Sequence, residues 1–511
     1  MNRTKWDFYL DYVHKLDPIL WFMGKVHGVR IDNDERLKLQ RKLTRRVDRY
    51  KRQASKHAPV EIRSTKRYKN FPTTDLPIIS VPTVKPVKVC SVCGEWPVTK
   101  SGHTTRKGGQ KGIPLNRCHK AEIISQEQTV NEYDVLLPFN ALSGDQLKAY
   151  AKHFKHPLAL NKETGERNVL NEDQLKKLVK RFGKAHPIYK LVKAGKKVNT
   201  TLTRYVNVWV PDERGYIYGR YTHNPETFRL AQQDHNLMNV SHRGDIPYAH
   251  EIRKLVIPSE GCVFVEADSA SIEAVMSGWF MGSESYMEIA RQGVHAFAAC
   301  TELGLPFTPE NKALVKNDPR YALLYARKKR ITHGVTYGMG AKLLHESYPE
   351  SFPTISNATA EIRGFLKMLP ELANWHEDLR KEAWRNGYLD NPWGLRNYYY
   401  QVYTKDNRTQ TFKPGEDANK VVAFKPQSSN AMFQRENLIL LGASWAAPHM
   451  CAIGHIHDSQ ALDCPIDRVN DAVVLLKSVM KRPIKQMGGL IIDVEIKVGP
   501  TWADMRTVDE L

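Results

Sequence analysis

Val263-Phe264-Val265-Glu266-Ala267-Asp268-Ser269-Ala270-Ser271-Ile272-Glu273 runs from an apolar strand to an acid and then into a helix. Its β-branched and aromatic residues favour an extended, half-buried strand, and Asp268 at the strand end points toward a cleft. A second acid stands in Ile453-Gly454-His455-Ile456-His457-Asp458-Ser459-Gln460-Ala461-Leu462, where His457-Asp458 falls between two short apolar runs and suits a hairpin tip. Hard divalent ions take oxygen ligands, and phosphoryl transfer with two ions about 3.5–4 Å apart needs carboxylates to hold them. Two acids on neighbouring strands meet that need. Taken singly, either Asp reads as a turn or cap residue, so the reading depends on the company they keep.

That company includes Arg327-Lys328-Lys329-Arg330-Ile331-Thr332-His333-Gly334-Val335-Thr336-Tyr337-Gly338. If helical, Lys329, His333 and Tyr337 follow one another at i, i+4 and i+8 on one face, a cation for a triphosphate beside two rings for a base. Standing alone, the segment would read as a basic solvated helix ended by its glycines.

Asp268 to Glu273 resembles motif A (DYSQIE) of the family A DNA polymerases, the bacterial DNA polymerase I type. Lys329 to Gly338 resembles their motif B (KxxxFGxxYG), and His457-Asp458-Ser459 their motif C (HDE). Phe228-Arg229-Leu230 with Asn236 to Val240, Gly387-Tyr388-Leu389 with Gly394-Leu395-Arg396, Gln427 to Ala431 and Val498 to Trp502 are similar to further segments of that family. The likeness spans nearly the whole chain except roughly residues 60–135. It implies an α+β, right-hand polymerase fold with a cysteine-containing insertion. The implied parts are N-terminal helices packing on the palm (1–60), the basic insertion (61–135), thumb (136–205), palm (206–290), fingers (291–420) and C-terminal palm (421–511).

Carried over position by position, Asp268 and Asp458 are the catalytic carboxylates and hold two Mg2+ ions. Lys329 and His295 meet the triphosphate, His333 and Tyr337 line the nucleotide pocket, and Glu273 is the steric gate against a ribose 2′-hydroxyl. Arg229, Gln427, His457, Arg243 and Arg396 are the implied DNA contacts. The activity implied is template-directed, primer-dependent DNA synthesis from deoxynucleoside triphosphates.

Three positions depart from the pattern. Tyr325 stands where the family places an arginine, with Arg327, Lys328 and Arg330 as substitutes that do not share the Lys329 face. His333 stands where the family has Phe, Tyr or sometimes Leu. Ser459 replaces the motif C glutamate, and His-Asp-Ser is what single-subunit RNA polymerases carry. Glu273 and the Arg229 to Val240 and Gln427 segments favour the DNA enzymes. A third reading is a zinc-containing DNA-binding replication accessory protein built on a decayed polymerase fold.

Composition agrees with a polyanionic partner. Among 511 residues, Lys and Arg outnumber Asp and Glu by 76 to 55, an excess that suits phosphate contacts. No stretch reaches the apolar length of a membrane span, so no membrane partner and a cytoplasmic location, at the nucleoid or in a phage-infected host, are expected. A monomer is expected. Of the seven cysteines, Cys90, Cys93 and Cys118 lie close together, and with His119 or His103 they form a candidate structural Zn2+ site. No acidic DxE motif on a strand appears in the first 200 or so residues, so no proofreading exonuclease is expected in this chain; a separate exonuclease or replisome protein is the expected partner.

Local patterns add four expectations. Leu16 to Met23 and the basic run to Lys56 read as helix, turn, helix, with Asp32 or Asn33 as cap. Residues 58–89 read as a linker. Gly144–Phe154 and Asn171–Phe182 read as helices, and Leu490–Ile496 as a strand.

Overall fold

A computed structural model describes residues 5–59, 133–140, 142–161, 164–223, 226–240, 247–405, 408–444, 451–456 and 458–508; between 60 and 132 it describes residues 63, 65–68, 78, 83–90, 98–99, 102–103 and 123–130. The chain divides into two compact units, residues 40–202 and the remainder.

The larger unit is built on a five-stranded antiparallel sheet. The elements that position the site are β1 (Cys262–Ser269), α1 (Ile272–Met281), α2 (Val294–Glu302), α3 (Ala322–Thr336), α4 (Ile355–Met368), α5 (Pro370–Asn386), α6 (Ala418–Gly442), β2 (Cys451–Ile456), β3 (Ser459–Pro465), α7 (Val469–Met480), β4 (Val494–Gly499) and β5 (Arg506–Thr507). The strand order is β2-β3-β1-β4-β5. In β1 the side chains alternate, as a pleated strand requires. Val265 and Ala267 pack with Leu462, Cys464, Leu476 and Met480 under α7, while Glu266 and Asp268 take the other face. A larger core joins Ile272 and Met276 of α1 to Ile331 and Val335 of α3, Leu372 and Leu379 of α5, and Phe424 and Phe433 of α6.

Helix α3 stops where its sequence tells it to. Gly338 has φ +73°, its N–H reaches the Val335 carbonyl at 2.9 Å and the Met339 N–H reaches that of Gly334 at 2.8 Å, the paired bonds of a glycine C-terminus. From α5, the buried His376 ring bonds the Thr336 carbonyl at 3.1 Å, which holds that end of α3. Burial, then Arg380, lower the His376 pKa to about 4 from 6.5. The neutral ring donates to the carbonyl, so its stabilisation is fully present above the unfolded value and is lost as pH falls from 6.5 toward 4, a difference of about 3 kcal/mol. Thermal unfolding of the wild type should therefore weaken more steeply over that range than that of His376→Gln, which keeps a donor but does not titrate. Parallel pH profiles would reject this.

The smaller unit contains helices Gly144–His153 and Glu172–Phe182, close to the spans their periodicity predicts, capped by Ser143 and Asn171. A third helix, Ile188–Thr201, joins them around Tyr150, Leu178, Tyr189 and Val192.

Three expectations from local pattern are corrected. Asp32 does cap the helix Asn33–Lys56, accepting from the Glu35 N–H at 3.0 Å. However, Val29–Ile31 before it is a strand, paired with Tyr216–Ile217 and Val256–Ile257, partners too distant in sequence to be read locally. The supposed linker contains strands Thr65–Tyr68 and Thr83–Cys90, paired with Tyr133–Leu136 and Ile123–Val130. Val87 and Val89 alternate with Lys88 and Cys90, and a two-stranded ribbon tolerates Pro86. The strand expected at Leu490 begins at Val494, because its partner β1 ends at Ser269, opposite Val494.

Candidate active site

Antiparallel register brings the two carboxylates together. Asp268 lies opposite Ser459 of β3 and opposite Glu495 of β4. The β2–β3 hairpin closes with Ile456 opposite Ser459, which leaves Asp458 in its turn. The Ser269 N–H donates to the Asp458 carbonyl at 3.1 Å, joining the residue after one acid to the other acid. Burial first, then the Asp458 and Glu266 charges, push the Asp268 carboxyl up to about 7. A carboxylate so placed needs a cation nearby to stay charged.

Among the described residues, no group of three or more His, Cys, Asp or Glu is arranged to hold a metal. Magnesium does not require such a cage: it keeps waters and is bound through one or two carboxylates together with substrate phosphates. The mutual repulsion of Asp268 and Asp458, at a buried strand end beside a cavity, fits that mode.

The cavity has a volume of about 220 Å³, and Asp458, Glu273, His295, His333 and Tyr337 all line it. These five residues come from the β2–β3 turn, α1, α2, α3 and the C-terminal cap of α3. The His295 and His333 rings lie 4.7 Å apart, and Tyr325 meets His295 edge-on at 6.4 Å. Lys329 sits one turn before His333 and is half-buried, but is not among the lining residues.

Glu273 is in the first turn of α1. Its carboxylate touches the Arg229 guanidinium and accepts from the Asn430 amide at 3.4 Å. Burial, then Asp458, push the Glu273 carboxyl up to about 7, with the Asn430 bond opposing. Arg229 thus stands against the expected steric gate. Its neighbour Phe228 adopts φ +58°, and the buried Arg435 secures that turn by donating two bonds to the Phe228 carbonyl, at 2.7 and 2.9 Å, while lying 3.7 Å over the Phe228 ring.

Other predicted residues fall elsewhere. Gln427 is half-buried on α6. Arg396 belongs to a ribbon, Tyr388–Asp390 with Arg396–Tyr398, where it forks onto Asp390 at 2.8 and 2.7 Å and stacks over Tyr388. His457, Arg243, Cys93, Cys118, His119 and the side chains of Cys90 and His103 lie outside the described residues. Cys262, Cys300 and Cys464 are not disulfide-bonded.

None of the basic residues offered in place of the Tyr325 arginine lines the cavity. Arg327 and Lys328 are gripped by Glu302 of α2 and Glu361 of α4. Arg330 bonds Ser351 and lies over Tyr348. They pin α3 to its neighbours. Sequence reading missed Asn430, Gln434 and Arg435, polar residues on a helix buried on nearly all sides from Ser428 to Arg435. The available signal is the lack of any amphipathic pattern there, which marks a central helix whose polar groups must find partners inside.

The family model for DNA polymerase family A matches residues 115–504. The chain is 25% identical over 420 residues to the thermostable DNA polymerase I of Thermus filiformis, covering 79% of this chain and 47% of that protein. It is 23% identical over 327 residues to DNA polymerase I of Lactococcus lactis subsp. lactis, covering 63% and 35% respectively. It therefore spans less than half the length of these relatives. In fold it is similar to the POL domain of Pol1 from M. smegmatis, solved in complex with DNA primer-template and dNTP. That likeness has a TM-score of 0.65 at 16% identity and covers 97% of this chain and 71% of that one. With a family match across more than half its length and motifs A, B and C meeting around one cavity, the chain belongs to DNA polymerase family A.

Proposed function

We propose that this chain is a template-directed, primer-dependent DNA polymerase that adds deoxynucleotides to a primer 3′-hydroxyl. The observation that carries the reading is the convergence of Asp458, Glu273, His295, His333 and Tyr337 on one cavity, with Asp268 on the adjoining strand. In this reading residues 206–290 and 421–511 are the palm, 291–420 the fingers and 136–205 the thumb.

Asp268 and Asp458 hold magnesium, which when bound supplies Lewis-acid polarisation and neutralises phosphate charge. The protein's own part is positioning and electrostatics. Lys329 and His295 face the triphosphate charge, and the Tyr337 and His333 rings support the base and sugar. Glu273 fills the space a 2′-hydroxyl would need. Arg229, Gln427, His457, Arg243 and Arg396 are the residues assigned to primer-template, the ligand carried by the structural relative.

Ser459 favours one second reading, RNA synthesis, and a single experiment separates the two. A labelled primer annealed to a longer template is incubated with Mg2+ and either four deoxy- or four ribonucleoside triphosphates. Templated extension with the deoxy set is expected. A preference for the ribo set would establish the second reading, and no extension with either would remove both.

A further inference from the structure

Gln434 of α6 is 0% exposed, and each hydrogen-bonding direction of its amide is used. Nε2 donates to the Ser269 hydroxyl at 3.0 Å and to the Asp458 carbonyl at 3.2 Å. Oε1 accepts from Gln460 Nε2 at 3.0 Å and from Asn437 Nδ2 at 3.2 Å. The two donor bonds end on the two places that carry the carboxylates: Ser269 follows Asp268 at the end of β1, and Asp458 occupies the β2–β3 turn. The two acceptor bonds hold the amide plane, one from the strand leaving that turn and one from the next turn of α6.

We infer that Gln434 is a positioning residue that sets the separation of Asp268 and Asp458. This deepens the polymerase reading and rests on it. The sheet does not depend on Gln434, because the Ser269 N–H already bonds the Asp458 carbonyl at 3.1 Å and β1 pairs with β3 from Cys262 to Asp268. What the side chain adds is a lateral hold on the turn at the Asp458 carbonyl. A turn free to shift by a fraction of an ångström still folds, but presents its carboxylate at a varying distance from Asp268. Partners that orient metal-holding side chains act in this way.

Gln434→Leu keeps the approximate volume and removes all four bonds. Its maximal incorporation rate should fall about 10- to 100-fold, and Mn2+, titrated into the primer-template complex and followed by electron paramagnetic resonance, should bind about tenfold more weakly. The KM for deoxynucleotide and the Kd for primer-template should change little. Ser269→Ala removes one bond only and serves if the leucine variant does not fold; it should shift rate and Mn2+ affinity the same way, by a smaller factor. Unchanged rate and Mn2+ affinity in the folded variants overturn the inference. So does a fall in Tm and primer-template binding with Mn2+ affinity unaltered, which marks a structural role alone. If the wild type incorporates nothing, the polymerase reading fails, and the Mn2+ arm still decides whether Gln434 positions the carboxylates.

Discussion

Alanine at Asp268 or at Asp458 should abolish primer extension, a loss of at least about 10³-fold, since in the proposed mechanism they anchor charge stabilisation worth several kcal/mol. Primer-template binding, measured by fluorescence anisotropy, should stay within a fewfold of wild type, because neither acid attracts a polyanion. Extension retained in both variants would sink the assignment. The Asp268 carboxyl also carries an opposite effect on stability. Folding raises its pKa from 3.8 to about 7, so in the metal-free protein the charged form is disfavoured. Stability contributed by the protonated form is lost as pH rises from 3.8 through about 7. Asp268→Asn should therefore raise the Tm of metal-free protein at pH 8 while removing activity.

Glu273→Ala should lower the preference for deoxy- over ribonucleotides by about 10²-fold, the scale on which a pocket discriminates a substituent it is shaped against. The side chain lines the cavity with Tyr337 and His333, and its contacts with Arg229 and Asn430 hold it there. Truncation to a methyl group opens the space it fills and releases Arg229. Glu273→Gln separates the two effects, since it preserves bulk while weakening the Arg229 pair. A gate acting by bulk predicts that glutamine keeps most of the selectivity and alanine does not. The measurement is kcat/KM for one deoxynucleotide and its ribo counterpart on the same primer-template. An unchanged ratio in both variants would show that the gate lies elsewhere.

Much of this site is legible along the chain because its parts are local events. The run Val263 to Ser269 is a strand by its own side chains, and the strand, turn and helix from Val263 to Glu273 place Asp268 and Glu273 on either side of one bend. Asp458 between two apolar runs is a turn for the same reason. In α3, Lys329 and His333 share a face by helical period alone, and Gly338 ends the helix. Long-range partners are less accessible. Arg327, Lys328 and Arg330 look alike in sequence, yet Glu302 and Glu361 consume two of them from separate helices, so none supplies the cavity with a cation in place of the missing arginine.

The strand, turn and helix around Asp268, the turn at Asp458 and the glycine end of α3 follow from nearest-neighbour chemistry: side-chain shape, period and glycine conformation act within a few residues. The contact of Arg229 with Glu273, the Arg435 brace on Phe228 and the four-way amide of Gln434 follow from burial. A polar group enclosed in the core must take whatever partner the fold brings to it. For Gln434 that partner is Ser269, 165 positions away, a pairing that exists only after α6 has been laid across the end of β1.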